Sequence, residues 1–94
     1  MTREEFNKNE APIIESELEK ECPHTGKNSG WEKNWKVYAV NKELDICEED
    51  MFGDHTLIVA YTHRKDPYED WTREDTYKMA KRIIEKVKLV MSGN

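Results

Sequence analysis

The sequence predicts a single small α+β domain, in which a helical N-terminal segment precedes a three-stranded antiparallel β-meander and a long C-terminal helix packs on the sheet. Residues 35–62 alternate between apolar and polar side chains as half-buried strands do. Gly53-Asp54 is a typical hairpin signal, and residues 72–91 repeat apolar side chains at helical spacing. The predicted bounds are a helical segment over 1–22 with a break near Pro12, a loop over 23–34, the sheet over 35–62 and a helix over 72–91.

The N-terminal segment carries the signals of a helix that begins at once. Thr2 and Glu5 stand at capping-box spacing, in which each side chain binds the other residue's backbone N–H. Proline clashes inside a helix but is tolerated in its first turn. We therefore expect a second helix that begins near Pro12 and ends before Pro23. Its apolar stripe is Ile13, Ile14, Leu18 and Cys22.

Three strands are predicted in the middle of the chain, joined by turns at Asn41-Lys42 and Gly53-Asp54. Trp35–Val40 is the first strand. In the second strand, Leu44 and Ile46 are predicted to face the core, whereas Asp45 and Cys47 face away from it. The third, Thr56–Thr62, is apolar on both faces, which predicts a central position in the sheet.

A long C-terminal helix follows, with Thr72 as N-cap and Asp75 three residues later. Its predicted core stripe is Tyr77, Ala80, Ile83, Ile84, Val87, Val90 and Met91. The core predicted for the whole domain is Phe6, Ile14, Leu18, Trp35, Val37, Ile46, Leu57, Val59, Tyr61, Ile83, Ile84 and Val87.

The charge of the chain is unevenly distributed. Fifteen basic and twenty acidic residues give a net charge of −5 over 94 residues. Residues 1–71 carry a net −8, whereas residues 72–94 carry a net +3. An acidic body disfavours direct binding to nucleic acid, because phosphate contacts supply most of that affinity. No apolar run has the length of a membrane span or a secretory signal, so we expect a cytoplasmic protein without membrane contact.

Catalytic motifs are missing from the sequence, which predicts a protein that is not an enzyme and needs no cofactor. Neither the phosphate-binding G-x-x-x-x-G-K-[ST] loop nor the H-E-x-x-H or G-x-S-x-G motifs occur. Cys22 and His24, with Cys47, are a weak alternative metal set for a zinc-stabilised interaction module. The set lacks the second closely spaced ligand pair that structural zinc sites show.

A small nucleotide ligand is a second alternative. Trp31, Lys33 and Tyr38 combine aromatic rings with a cation, and such residues can stack and neutralise a nucleotide. The competing interpretation places Trp35 and Tyr38 in the core and on the sheet face of a domain that has few aliphatic residues.

Carboxylates are clustered in three parts of the chain. Glu15, Glu17, Glu19 and Glu21 share one helix, and two further groups surround the second strand and residues 66–75. Clustered like charges oppose folding, and a row of carboxylates can imitate the phosphates of DNA. The predicted partner-binding residues are Asp45, Glu48, Glu49, Asp50, Asp66, Glu69 and Asp70.

These features predict a small acidic binding protein of the phage inhibitor type, with an anti-defence or anti-CRISPR-like role. Size, acidity and absent catalytic motifs are typical of the inhibitors that phages make against host defence or transcription machinery. The expected partner is a host protein whose basic nucleic-acid-binding groove the acidic surface would occlude. Because a domain of this size buries little of its surface, we also expect a homodimer. Its candidate interface residues are Trp31, Tyr38, Val40 and Met79.

Overall fold

The computed structural model describes residues 1–24, 33–40, 43–62 and 70–92. They form helix α1 (Arg3–Glu5), a π-helical segment (Phe6–Glu10), helix α2 (Ala11–Glu21), strands β1 (Lys33–Val40), β2 (Glu43–Asp50) and β3 (His55–Thr62), and helix α3 (Arg73–Ser92). The strands form an antiparallel sheet in the order β1-β2-β3, and the helices pack on it. The predicted α+β class with a three-stranded meander is confirmed.

Helix α2 begins at Ala11 with Pro12 in its first turn, as the sequence predicted. The N-terminal segment is nevertheless helical throughout, because the π-helical segment Phe6–Glu10 connects α1 to α2. Its start is as predicted, since Glu5 N–H donates to Thr2 Oγ1 (3.1 Å) and Thr2 N–H to Glu5 Oε1 (3.2 Å). The helix then widens, and Ala11 N–H donates to the carbonyl of Phe6, five residues back. This extra residue per turn relieves the clash that the Pro12 ring would make with the preceding turn, so the chain stays helical up to Glu21.

Strand β3 lies at an edge of the sheet, so the predicted central position is wrong. The central strand is β2, although it carries five carboxylates, because hairpins pair it with both of its neighbours along the chain. A register shift between Ile46 and Cys47 also turns Leu57 away from the core. Leu57 is 56% exposed instead of buried as predicted, and Ile58 packs against the core in its place.

Helices α2 and α3 cover one face of the sheet. Cross-strand neighbours Val37, Ile46 and Val59 all belong to the core on that face. The stripe of α3 is rotated from the predicted one, since Thr76 and Met79 are buried while Tyr77 and Val90 are 46% and 52% exposed. Met79 is therefore not available for the predicted dimer interface. The remaining core residues are Phe6, Ala11, Ile14, Leu18, Cys22, Trp35, Ala39, Leu44, Ala80, Ile83 and Val87.

A buried carboxylate of the N-terminal helix, Glu10, contacts the first turn of α3 and explains why a different side of α3 from the predicted one faces the core. Glu10 is 3% exposed, and Arg73 binds it through Nε (3.0 Å) and Nη2 (3.2 Å). Thr76 Oγ1 donates to Glu10 Oε1 (2.6 Å) and accepts from Trp71 Nε1 (2.7 Å). Burial acts to raise the pKa of Glu10, but the hydrogen bonds and charge of its partners outweigh it and lower that pKa. The cluster joins the N-terminal helix to α3.

The outer edge of β1 is covered by side chains of the N-terminal helix. Val37 N–H donates to Glu15 Oε2 (2.9 Å), and Trp35 N–H donates to Glu19 Oε1 (2.8 Å). Asn7 binds both backbone groups of Ala39, accepting from N–H (2.7 Å) and donating to the carbonyl (3.3 Å). Two carboxylates of the first acidic cluster therefore satisfy the donors of an edge strand, which is a structural role.

Replacing Asn7 tests this covered edge. Asn7→Ala is expected to lower the free energy of unfolding by about 1–2 kcal/mol, because two part-buried backbone groups of Ala39 lose their partner. Urea unfolding of Asn7→Ala beside Asn9→Ala, an exposed neighbour, measures the difference. Equal stability of the two variants would show that the edge does not need the Asn7 amide.

Candidate functional site

The second face of the sheet is covered by none of the described elements. We call it the open sheet face, because strand alternation places on it the side chains opposite to the core residues. Its members come from all three strands, namely Lys36, Tyr38, Glu43, Asp45, Cys47, Glu49, His55 and Leu57.

A row of carboxylates runs along β2 on this face. Glu43, Asp45 and Glu49 share this face of the strand; Glu43 and Asp45 are two residues apart, about 6.6–6.8 Å, and Cys47 lies between Asp45 and Glu49. Hydrogen bonding to Asp45 and its negative charge raise the pKa of Glu43. The Oδ1 atom of Asp45 is buried and has no hydrogen-bond partner among the described residues. Glu43 and Asp45 therefore repel each other, and a positive group would relieve this repulsion.

A polar network borders the row. His55 Nε2 lies 2.8 Å from Glu49 Oε2, and Lys36 Nζ lies 3.9 Å from Glu49 Oε1. The Tyr38 ring stacks on His55 with centroids 5.3 Å apart, and its hydroxyl lies 3.1 Å from the imidazole nitrogens. Burial, followed by the charge of Glu49, raises the pKa of Tyr38. These contacts hold Glu49 in place at one end of the carboxylate row.

The hairpin between β2 and β3 adds apolar groups beside the network. It has four residues, 51–54, instead of the predicted two-residue Gly53-Asp54 turn. The Asp50 carboxylate accepts from Phe52 N–H (2.9 Å) and Asp54 N–H (3.0 Å), and Gly53 adopts a φ of +85°. Asp50 thus shapes the turn, and Met51 and Phe52 at its tip are 64% and 69% exposed.

Glu48 does not belong to this surface, although the sequence predicted it as a partner-binding residue. It pairs with Trp35 on the core side of the sheet and is only 3% exposed. His24 Nδ1 lies 2.8 Å from Glu48 Oε2, and His24 Nε2 lies 3.1 Å from Glu19 Oε1. The His24 ring stacks on Trp35, with centroids 4.8 Å apart. Strand alternation explains the difference, because neighbours in a strand face opposite sides.

The other predicted contact residues do not gather on the open sheet face. Asp70 is exposed and precedes Trp71, which packs on Phe6 on the helical side with ring centroids 5.4 Å apart. Asp66 and Glu69 lie outside the described residues. The signal that sequence reasoning overlooked is Met51-Phe52, two large apolar residues placed where a turn ordinarily has polar ones.

The residues of the nucleotide alternative are not brought together. Lys33 and Tyr38 differ by an odd number of positions in β1 and so lie on opposite faces of the sheet. Trp31 lies outside the described residues. A groove of about 340 Å³ between α2 and α3 is lined in part by Glu17, Tyr77 and Ile84, and by neither Lys33 nor Tyr38.

The zinc alternative finds no support in the geometry. Cys22 belongs to the core cluster, His24 contacts two carboxylates, and Cys47 lies on the open sheet face. In the described part of the chain, no group of three histidine, cysteine or carboxylate side chains is arranged to hold a metal ion.

Comparison with known proteins returned no matching family model, no similar curated protein and no similar solved structure. Within the described ranges, none of the helices combines the length and the apolar character needed to cross a membrane.

Proposed function

We propose that this chain is a non-enzymatic inhibitor whose open sheet face and hairpin tip bind a basic nucleic-acid-binding groove on a host protein. The observation that carries the proposal is the row of Glu43, Asp45 and Glu49 on a face of the central strand that none of the described elements covers. An acidic central strand with a solvent-facing row is costly for folding, and a partner rich in Lys and Arg would offset that cost.

The spacing of Glu43 and Asp45 suits such a groove. Residues two apart in a strand are separated by about 6.6–6.8 Å. Consecutive phosphates of a DNA strand also wind around the helix axis, so they lie farther apart than their axial rise of about 3.4 Å and approach this separation. Side chains that bind consecutive phosphates are therefore spaced to bind these two carboxylates. A hydrogen bond with Asp45 and the negative charge of Asp45 raise the pKa of Glu43, and cations from the partner would offset that charge.

The hairpin tip adds apolar contact area to the charged face. Aromatic and methionine side chains are enriched in protein interfaces, where a few buried residues contribute most of the affinity. Phe52 and Met51 are large, exposed and adjacent to the acidic end of the face. We infer that the carboxylates speed and orient the encounter while the tip residues stabilise the complex.

A phage-encoded anti-defence role, of the anti-CRISPR kind, is the biological setting that we propose. The support is the small size, the net charge of −5 and the absence of catalytic sequence motifs. In this setting the host is bacterial, the protein acts in its cytoplasm, and the complex contains no direct contact between this chain and nucleic acid.

Neutralising the row tests the proposal. The probe is the heparin-binding protein pool of a bacterial extract, passed over the immobilised chain with or without a short DNA duplex as competitor. The wild type should retain specific proteins that the duplex displaces and that elute as ionic strength rises. The variant Glu43→Gln, Asp45→Asn, Glu49→Gln should lose at least about tenfold in retention, because three charge contacts disappear.

A matched control changes the same number of charges on the helical side. The variant Glu17→Gln, Glu74→Gln, Glu85→Gln should retain the same proteins as the wild type, since these residues lie on α2 and α3. Equal retention by the wild type and the neutralised-row variant, or no retention from the heparin-binding pool, would contradict the proposal. Far-UV circular dichroism of all three proteins confirms that the fold is kept.

A further inference from the structure

The two edges of the sheet differ in how their backbone groups are used. Side chains of the N-terminal helix bind Trp35, Val37 and Ala39 along the outer edge of β1. Along the outer edge of β3, among the described residues, the structure shows one contact, from Lys86 Nζ to the Ala60 carbonyl (3.4 Å). The edge of β3 is therefore open to a further strand.

Backbone N–H and carbonyl groups point alternately to the two sides of a strand, and this alternation identifies which groups of β3 face outward. Because the N–H of Val37 points outward, its neighbour Ile46 on β2 bonds in the other direction, to Val59. The residue after Val59 then faces outward, which agrees with the contact of Lys86 at the Ala60 carbonyl. By the same alternation, Thr62 also presents its N–H and carbonyl groups to the outside, whereas the bulge at Ile58 interrupts the alternation before Val59.

The β3 strand lacks the residues that usually protect an edge. Residues 56–62 contain no charged side chain and no proline, whereas β1 carries two lysines and β2 five carboxylates. Exposed edge strands ordinarily carry lysine or proline, or are covered, because they can pair with other chains. The bulge beside Leu57 limits regular pairing to residues 59–62.

A cationic rim accompanies this edge on the helical side. Lys86 lies 5.2 Å from the Tyr61 ring centroid, so this side of α3 faces β3. Arg82 and Val90 lie one turn before and one turn after Lys86 on the same side of the helix. In the described part of the chain, neither Arg82 nor Lys86 has a carboxylate partner, and Val90 is 52% exposed.

We propose that the β3 edge binds an extended acidic segment of a partner protein by β-strand addition. The backbone of Ala60 and Thr62 forms the ladder, while Lys86 releases the Ala60 carbonyl and pairs with a carboxylate of the added strand. Charge complementarity selects this occupant over a second copy. Antiparallel self-pairing about Ala60 would bring the Lys86 side chains of two copies together.

A designed peptide tests the proposal directly. The probe is the labelled peptide Thr-Val-Glu-Val-Glu-Val-Thr with blocked ends, compared by fluorescence anisotropy with the same peptide carrying lysine for glutamate. A third version carries N-methyl groups on alternate backbone nitrogens, which removes the donors of one edge. The acidic peptide should bind at least about tenfold more tightly than both others, and binding should slow amide exchange at Ala60 and Thr62.

Two variants of the chain separate the backbone contribution from the charge contribution. Ala60→Pro deletes an outward N–H without removing a bond to β2 and should weaken binding about tenfold. Lys86→Gln should weaken binding about three- to tenfold, while Lys81→Gln, on another side of α3, should leave it unchanged. The variant with the neutralised carboxylate row should bind the acidic peptide at least as tightly as the wild type does, because Glu43 and Asp45 pair with Thr62 and Ala60 and their loss removes like charges beside the added strand.

Two results would overturn the inference. One is equal affinity for the acidic, basic and N-methylated peptides, or no binding of any of them. The other is a dimer, detected by light scattering, that slows amide exchange at Ala60 without any peptide. That result would show that a second copy of the chain occupies the β3 edge.

Discussion

Glu48→Lys is expected to lower the free energy of unfolding by about 3–5 kcal/mol, because it places an ammonium group in a buried position. Glu48 is 3% exposed and faces His24 at 2.8 Å. Glu49→Lys, one residue along the same strand, should cost less than about 1 kcal/mol because its side chain lies on the open sheet face. Urea unfolding followed by tryptophan fluorescence measures both variants, and Trp35 beside His24 reports on the site.

The comparison of these two neighbours also tests the placement of the acidic surface. A similar small loss for both variants would mean that Glu48 is solvent-exposed and belongs with Glu49 after all. Glu48→Gln keeps the shape and removes the charge, so it should cost less than Glu48→Lys.

Glu10→Gln is expected to cost about 2–3 kcal/mol at neutral pH, since hydrogen bonds to a charged group are stronger than neutral ones. The carboxylate accepts from both Arg73 and Thr76 and is 3% exposed. Arg73 is itself largely exposed, so water screens part of the charge contribution. Glu4→Gln, on the exposed first turn, is the matched control and should change stability little.

The effect of Glu10→Gln should depend on pH in a defined direction. The pKa of Glu10 is lowered in the folded chain, so its contribution is present above the unfolded pKa of about 4.3 and is lost as pH falls through the folded value. Thermal melts from neutral pH to strongly acidic pH should therefore show the wild type and Glu10→Gln converging in Tm. A difference in Tm that stayed constant over this pH range would mean that the shape of the side chain, not its charge, accounts for the lower stability of Glu10→Gln.

The acidic residues of this chain divide into two groups with different roles. Glu10, Glu15, Glu19 and Glu48 bind groups of the protein itself, so they satisfy donors that would otherwise be buried without partners. Glu43, Asp45 and Glu49 lie on the sheet face that none of the described elements covers, where Glu49 also contacts His55 and Lys36. The sequence interpretation treated every cluster as a cost to folding, and the structure restricts that argument to the outward row.

Several features were predictable from the sequence because they depend on neighbours along the chain. The capping boxes at Thr2 and Thr72 join residues three apart, and both are present. Alternation in β1 and β2 correctly placed Val37, Leu44 and Ile46 in the core. These signals rely on backbone geometry that a few residues establish together, so the α+β class could be derived without tertiary information.

Other features depended on the tertiary structure because they result from packing between distant segments. The bulge beside Leu57 exposes that residue, and the Glu10 cluster, formed across 63 residues of sequence with Arg73, sets the rotation of α3. Strand alternation places Glu48 on the same face as Leu44 and Ile46, but the contact with His24, 2.8 Å away, comes from a distant part of the chain. Sequence composition alone identified the acidic character of this protein, but three-dimensional packing decided which carboxylates remain at the surface.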